Sequence, residues 1–119
     1  MSFSVEDPRS HLPLSSSAFQ ILLALAGGDR HGYGISKEVE LATYGALQLG
    51  PGTLYRTIKQ MVIDNWIREV HPSGVEDPRR RYYQLTSRGR SIAIAESQRL
   101  AELVRIARSR NLLPTNAIG

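Results

Sequence analysis

Residues 50–62 read GPGTLYRTIKQMV, and this pattern predicts a helix with two unlike faces. Pro51 suits the first position of a helix, because the amide proton that proline lacks would have no partner there. Apolar residues recur at helical spacing on one face, at Leu54, Ile58, Met61 and Val62. We therefore expect a helix from Pro51 to about Asn65 that packs on its apolar side.

The other face of this helix carries residue types that recognise nucleic-acid bases. It comprises Thr53, Arg56, Thr57 and Gln60, with Lys59 close by. Arginine can bond two acceptors on a guanine edge, glutamine can pair with adenine in the same way, and threonine can bond a phosphate. No acidic residue occurs from Gly50 to Ile63, whereas a merely solvated helix commonly pairs Glu with Lys. This face is therefore a candidate surface for reading DNA.

Two shorter helices are predicted before this segment. The first runs from the serines at 15–17 to the glycines at 27–28, and the second from near Gly32 to the pair at 44–45. Their apolar residues repeat every three or four positions, at Ala18, Ile21, Leu22 and Leu25 and at Ile35, Val39 and Ala42. His31 is expected to bond a backbone group where the second helix starts. Residues 1–14 contain two prolines and no sustained period, so we expect an extended arm there.

The pattern changes after the third helix. Residues 67–71 and 80–85 have strand-like composition and flank a turn-rich loop, which predicts a two-stranded wing. Thr86 can cap a last, long helix from Ser87 to about Arg110. That helix has an apolar stripe at Ala93, Leu100, Leu103, Val104 and Ala107. A small domain has little surface to cover this stripe, so we expect a partner helix from a second copy; packing within one chain is the alternative.

The predicted fold class is mainly α (α+β): a winged helix-turn-helix with a long C-terminal dimerisation helix. The 119 residues suffice for one domain with a modest core and leave no room for a separate catalytic domain. We divide the chain into a flexible N-terminal arm at 1–14, a winged helix-turn-helix domain at 15–85, a C-terminal dimerisation helix at 86–111 and a flexible tail at 112–119.

Composition argues against several classes of function. The chain has no cysteine, which excludes disulfides, thiolate metal sites and thiol redox switching. His11, His31 and His71 lie far apart and lack neighbours at metal-ligand spacing, so neither a metal nor another cofactor is expected. The longest apolar run, residues 21–26, is too short to span a membrane, so we expect no membrane contact and a cytoplasmic location. No nucleophile stands beside a base, and we expect no enzyme activity.

Positive charge is concentrated in the second half of the chain. The formal net charge is +4, and five arginines occur between residues 78 and 95 without an acid. They are Arg79, Arg80, Arg81, Arg88 and Arg90. If this stretch meets the acid-free helix face in the fold, the two form a positive surface suited to a phosphate-rich partner. The alternative is that these arginines are simply solvated.

Three blocks of sequence stand out in the chain: HGYGI at 31–35, GPGTLYR at 50–56 and RRRYYQLTSRGR at 79–90. In this order and spacing they resemble the signature blocks of PadR-type transcriptional regulators. The resemblance extends over about residues 15–107, and three blocks in register are more specific than one. It implies a winged helix-turn-helix that binds operator DNA as a dimer, usually as a repressor, and that dimerises through its C-terminal helix.

The same resemblance implies where DNA is contacted, because the family places its third helix in the major groove and its wing beside the backbone. Residues 52–56 would lie at the start of the recognition helix, and residues 79–83 along the wing. Tyr33 and Tyr55 can reach phosphates through their hydroxyls, although Tyr33 can equally be a core aromatic. The candidate DNA-binding residues are Tyr33, Thr53, Tyr55, Arg56, Thr57, Lys59, Gln60, Arg79, Arg80, Arg81 and Tyr83.

Residues 63–67 read IDNWI, where the family usually has EDGLI. Asn65 can adopt the left-handed backbone that glycine adopts at this place. We expect Trp66 to fill the gap between the recognition helix and the wing, and the functional alternative is an aromatic wall for a small-molecule effector. The chain has no aromatic residue after Tyr83, which argues against an effector pocket built on a tryptophan in the last helix.

The sequence thus predicts a sequence-specific DNA-binding transcription regulator. We expect a repressor that acts as a homodimer on an inverted-repeat operator in double-stranded DNA, with release by a small effector left open. The alternative is an adaptor that uses the same winged fold to bind a protein or sense a ligand, without specific DNA readout. The acid-free face of the third helix favours the regulator, because a protein-binding helix would present large apolar anchors there.

Overall fold

The structure is a computed structural model, and it describes residues 7–74, 77 and 79–114. Within these residues the α-helices are α1 (Ser16–Ala26), α2 (Gly32–Ala42), α3 (Pro51–Ile63) and α4 (Ser87–Ser109). The strands are β1 (Arg30–His31), β2 (Ile67–Val70) and β3 (Tyr82–Leu85), and a 3-10 helix (Pro8–His11) precedes them all. This is the predicted fold: a winged helix-turn-helix followed by a long C-terminal helix.

Side chains cap the helices where the sequence predicted caps. Ser15 accepts a hydrogen bond from the amide of Ala18 at 3.1 Å and begins α1. Thr86 accepts one from the amide of Gly89 at 3.0 Å and begins α4. Each bond satisfies a donor that the first turn of a helix would otherwise leave unpaired, which explains why the helices begin at these residues.

A left-handed residue reverses the chain after α3. Asn65 has a φ of 64°, and the amide of Trp66 then bonds the carbonyl of Met61 at 2.9 Å. The predicted tolerance of Asn65 for this turn is confirmed. The turn brings β2 back along α3, so α3 and the wing lie side by side.

The strands form an antiparallel sheet in the order β1-β3-β2. β2 and β3 pair along their whole length and form the predicted wing. The sequence did not indicate β1, which pairs with the other edge of β3 and sets His31 opposite Tyr82. Two residues are too few to show an alternating pattern, so this strand is defined only by its partner.

The core lies where the helices meet the inner face of the sheet. Its largest fully buried apolar residues are Ile21, Leu22, Ile35, Val39, Ile67 and Ile92. Ala42, predicted on the inner stripe of α2, is exposed instead. The prediction for Val62 is also wrong, because Val62 is 40% exposed. It lies about 80° round the helix from Leu54, at the edge of the apolar face rather than at its centre.

The N-terminal segment differs from the expected extended arm. Residues 8–11 form the 3-10 helix, which packs against α4. Leu14 then donates its amide to Glu96, the one buried charged residue among those described. The prediction of an extended arm is wrong for these residues, because the surface of α4 that they contact is distant in the sequence. Residues 1–6 of the predicted arm and 115–119 of the predicted tail lie outside the described residues.

The second half of α4 is exposed along its apolar stripe. Leu103 and Val104 are 50% and 39% exposed, and Leu100 and Ala107 are partly buried. Ala93 is only 6% exposed and belongs to the chain's own core, so it is not on the surface available to a second copy. No helix in the described part of the chain is long and apolar enough to cross a lipid bilayer.

Candidate nucleic-acid interface

The outer face of α3 presents the side chains predicted to read bases. Thr53, Arg56, Lys59 and Gln60 are exposed, and Thr57 is partly so. Arg56 and Lys59 make no hydrogen bond or ion pair with any residue that the structure describes. These two cations are therefore available to a partner.

Two polar groups on this face are already engaged. The amide of Gln60 donates to the carboxylate of Asp64, with nitrogen–oxygen distances of 3.1 and 3.2 Å. The hydroxyl of Thr57 donates to the carbonyl of Thr53 at 2.8 Å. Gln60 must therefore leave Asp64 before it can bond a base, whereas Arg56 needs no such exchange. Sequence reasoning missed Asp64, although it stands four residues after Gln60 on the same helix face.

A cavity of about 430 Å³ lies between the start of α2, α3 and the wing, and we call it the α2–wing cavity. Its lining residues are His31, Gly32, Tyr33, Tyr55, Arg79, Arg80, Arg81 and Tyr83. The acid-free helix and the first three arginines of the acid-free stretch therefore do meet in the fold. Arg88 and Arg90 lie on α4 and do not line this cavity. None of its described lining residues is acidic, and no three potential metal ligands cluster anywhere in the described chain.

His31 begins α2 and faces the wing. Its Nδ1 atom accepts a hydrogen bond from the amide of Gly34 at 2.9 Å, which confirms the predicted bond to the backbone. Burial and then the charge of Arg80 lower the pKa of His31, so the ring is neutral near pH 7 and carries its proton on Nε2. The Nη1 atom of Arg80 lies 2.7 Å from that Nε2 atom. Both atoms can donate a hydrogen bond, so an anion beside them could accept bonds from His31 and from Arg80.

The arginines of the wing differ in what they contact. Arg79 bonds the carboxylate of Asp77 through its backbone amide at 3.0 Å and its Nε atom at 3.2 Å, and these bonds lower the pKa of Asp77. Arg80 faces His31 as described. Arg81 is exposed and has no hydrogen bond or ion pair among the described residues. Arg80 and Arg81 are therefore the wing cations best placed to take an anion.

The tyrosines of the cavity are exposed to different extents. Tyr33 is 60% exposed and stacks on the ring of His31, with centroids 6.3 Å apart, so the core-aromatic alternative is wrong. Tyr55 is 50% exposed and lies so close to Gly32 that a Cβ there would approach its hydroxyl to 2.5 Å. Tyr83 is 6% exposed and forms part of the cavity wall. Tyr33 and Tyr55 can therefore reach a large partner, whereas Tyr83 can reach only a group that enters the cavity.

Trp66 is partly buried against the core. Its ring meets that of His11 edge-on, with 5.2 Å between centroids. The ring of Trp66 thus contacts the N-terminal segment. The sequence predicted instead that this ring fills the gap between α3 and the wing. Nε1 of Trp66 is buried and has no hydrogen-bond partner among the residues described. Trp66 does not line the α2–wing cavity.

Solved structures share this fold. A PadR family transcription regulator from hypervirulent Clostridium difficile superposes with a TM-score of 0.68 at 24% identity, over 80% of this chain and 97% of its own. A transcriptional regulator from Clostridium thermocellum gives a TM-score of 0.66 at 22% identity, over 91% of this chain and 97% of its own. At these identities the likeness establishes the winged fold with its long last helix.

Two curated relatives match by sequence. A 37.1 kDa protein of a transposon from Streptomyces fradiae is 32% identical over 83 residues, which are 70% of this chain and 22% of the relative. A protein from Lysinibacillus sphaericus is 35% identical over 75 residues, which are 60% of this chain and 65% of the relative. The chain thus spans less than two thirds of either relative.

The family relationship rests on the part of the chain that forms the fold and the candidate interface. The model of the transcriptional regulator PadR-like family matches residues 21–94, which contain α2, α3, the wing and the first turns of α4. That range includes the α2–wing cavity and the outer face of α3. The chain therefore belongs to the PadR-like family of transcriptional regulators.

Proposed function

We propose that this chain represses transcription by binding operator DNA as a homodimer, with α3 in the major groove and the wing on the DNA backbone. One observation carries the proposal: the Nε2 atom of His31 and the Nη1 atom of Arg80 lie 2.7 Å apart in a cavity that has no acid among its described lining residues. A DNA phosphate there would accept hydrogen bonds from both atoms. Arg81 and the exposed hydroxyls of Tyr33 and Tyr55 would bond neighbouring phosphate oxygens.

Sequence readout would come from α3. Its exposed face lies next to the α2–wing cavity, since Tyr55 belongs to both the helix and the cavity. Arg56 is free to bond a guanine edge, and Gln60 can bond an adenine edge once it leaves Asp64. Lys59 and Thr53 would contact the flanking backbone. Base contacts thus come from one helix and phosphate contacts from the elements on either side.

The second copy would bind along α4. Leu103, Val104 and Ile106 are 50%, 39% and 36% exposed on this helix, and burial against the same residues of a partner removes them from water. A two-fold dimer presents two copies of α3. Its operator is therefore an inverted repeat with half-sites about 10 base pairs apart, centre to centre.

The test is selection of bound sequences from a random DNA pool, followed by salt titration of the selected site and a scrambled one. Enrichment of an inverted repeat is expected. If about three cations per chain neutralise phosphates, the logarithm of affinity falls with the logarithm of salt concentration with a slope of about −5. The scrambled site should bind about a thousandfold more weakly. Equal binding of both sites at every salt concentration would contradict sequence-specific regulation and favour the adaptor.

The direction of regulation needs a separate measurement. A promoter that overlaps the selected site is transcribed in vitro with and without the protein. Repression predicts fewer transcripts as the site fills, because the bound dimer covers the promoter. A rise in transcripts would show an activator instead.

A further inference from the structure

A second cavity, also of about 430 Å³, lies between α3 and the wing, and we call it the α3–wing cavity. Its lining residues are Tyr55, Ile58, Lys59, Val62, Ile63, Glu69, Arg81 and Tyr83. Tyr55, Arg81 and Tyr83 line the α2–wing cavity as well. Sites that hold small molecules commonly have volumes of about 300–1,000 Å³, so this cavity is of suitable size.

One wall of the α3–wing cavity is apolar and open to solvent. Val62 and Ile63 are 40% and 65% exposed, and Ile58 is buried beneath them. Contact between large aliphatic side chains and water is unfavourable. An apolar body that covers these side chains would remove that contact and so bind favourably. This wall also accounts for the position of Val62 at the edge of the core.

The polar side of the same cavity carries unpaired donors. Lys59 and Arg81 have no hydrogen bond or ion pair within the described ranges, and the one acid among the lining residues, Glu69, lies 3.7 Å from His71. Tyr83 is 6% exposed, yet its hydroxyl makes no hydrogen bond with any described residue. That hydroxyl is therefore a third donor open to a ligand, and burial of the side chain is the main cause that raises the pKa of Tyr83.

We propose that the α3–wing cavity binds a small amphipathic anion, that is, an apolar body with one carboxylate or sulfonate group. The apolar body lies on Ile58, Val62 and Ile63. The anionic group accepts hydrogen bonds from Lys59, Arg81 and the hydroxyl of Tyr83. Two cations against one acid favour an anion over a neutral or cationic ligand of the same shape.

Such a ligand would compete with DNA, and this consequence rests on the proposed function. Arg81 and Tyr55 line both cavities, so a ligand that holds them in the α3–wing cavity withdraws them from phosphates. Lys59 belongs to the same ligand site and to the exposed face of α3. By thermodynamic linkage, bound DNA lowers the affinity for the ligand by the same factor as bound ligand lowers the affinity for DNA.

The probe for the site is 1-anilinonaphthalene-8-sulfonate, which is fluorescent when it leaves water and has both an apolar body and an anionic group. Titration of the full chain without DNA should saturate at one probe per chain. N-phenyl-1-naphthylamine has the same rings without the sulfonate and should bind about tenfold more weakly. Equal affinity for the two probes would overturn the proposal, since it would show an apolar surface without anion recognition.

Variants locate the bound probe. Lys59→Gln and Tyr83→Phe should each lower the affinity for the sulfonate probe about fivefold or more, because each removes one donor to the anion. Lys37→Gln removes the same charge from α2, and Tyr82→Phe removes the neighbouring hydroxyl of β3, and neither residue lines the cavity. Both controls should bind the probe as the wild type does. Unchanged binding in Lys59→Gln and Tyr83→Phe would place the probe elsewhere and overturn the proposal.

The competition with DNA is measured afterwards, with the selected operator and saturating sulfonate probe. The apparent affinity for DNA should fall, and it should fall less in Tyr83→Phe. A probe that occupies the cavity without changing DNA affinity would overturn the competition. Failure of the chain to bind any DNA would contradict the proposed function alone, because the fluorescence titration of the cavity contains no DNA.

Discussion

The backbone amide of Leu14 donates a hydrogen bond to a carboxylate oxygen of Glu96, which is 3.1 Å away in space and 82 residues later in the chain. Arg99 binds the same carboxylate from the next turn of α4, and this hydrogen bond is the main cause that lowers the pKa of Glu96. Glu96 therefore stays ionised at neutral pH although it is only 2% exposed. The bond fastens the segment before α1 to the helix that we propose as the dimer interface.

Glu96→Ala should release this segment. The amide of Leu14 loses its charged acceptor, so its hydrogen exchange should quicken by about tenfold or more. Glu102→Ala is the control, because Glu102 lies on the same helix and pairs with Arg105 at the surface. Hydrogen exchange measured by mass spectrometry on peptides that contain Leu14 separates the two variants. Equal protection of that amide in Glu96→Ala and in the wild type would show that the hydrogen bond does not hold the segment.

The lowered pKa of His31 makes folding stability depend on pH. Between the usual value of 6.5 and the lower pKa of the folded state, the unfolded chain binds more protons than the folded chain. Stability therefore rises with pH through this window and is lost as the pH falls below 6.5. His31→Asn keeps a capping acceptor for Gly34 but does not titrate. Denaturant unfolding at about pH 7.5 and about pH 5.5 should show a larger loss in the wild type than in the variant. An identical loss in both would contradict the assignment.

Gly89→Ala should destabilise the fold by about 3 kcal/mol. A Cβ at Gly89 would overlap the carbonyl oxygen of Trp66, which α4 approaches directly as it leaves Thr86. Gly52→Ala is the matched control, since a Cβ at Gly52 meets no atom within 4 Å and the residue is helical. That change should be neutral or slightly stabilising. Thermal and denaturant unfolding measure the stability of both variants. A Gly89→Ala variant as stable as Gly52→Ala would mean that α4 can move away from the carbonyl of Trp66 at no cost in stability.

Arg56→Ala should weaken binding to the selected operator by about 1–3 kcal/mol and relax preference at one base position. Arg56 makes no hydrogen bond or ion pair with the described residues, so the proposed base contact would be its main interaction. Arg81→Ala should instead weaken all DNA sequences alike, since this wing residue would hold a phosphate. Selection of DNA with each variant gives both the affinity and the preference. The assignment of base and phosphate contacts fails if Arg56→Ala lowers affinity for selected and random DNA equally.

Leu103→Glu should convert the proposed homodimer to monomers and sharply weaken operator binding. Leu103 is 50% exposed, so a charge there leaves the core of the single chain intact but must be desolvated in the interface. Leu41→Glu is the control, because Leu41 is 71% exposed and lies on α2 rather than on α4. Sedimentation velocity distinguishes the species. A Leu103→Glu protein that remains dimeric would place the interface on another surface.

The caps and turns of this protein could be predicted from its sequence alone. Ser15 and Thr86 cap their helices, Asn65 takes the left-handed turn, and His31 bonds the backbone at the start of α2. Each of these features depends on contacts within a few residues, so the order of residues contains all the information that is needed. The three blocks at 31–35, 50–56 and 79–90 likewise predicted the family, because they belong to the elements that form the fold.

Only the tertiary structure decided which surfaces meet. The periodicity of α3 identifies an apolar face, but it does not say what covers the edge of that face, and Val62 proved to be exposed. The partners of β1, of Trp66 and of the segment at residues 8–14 all lie dozens of residues away. The sequence predicts Ala93 in the interface with a second copy, whereas it lies in the core of one chain, where its position depends on how α4 crosses α1. The spacing of apolar residues predicts which side chains are buried. The residues that they contact are determined only when distant elements of the chain pack together.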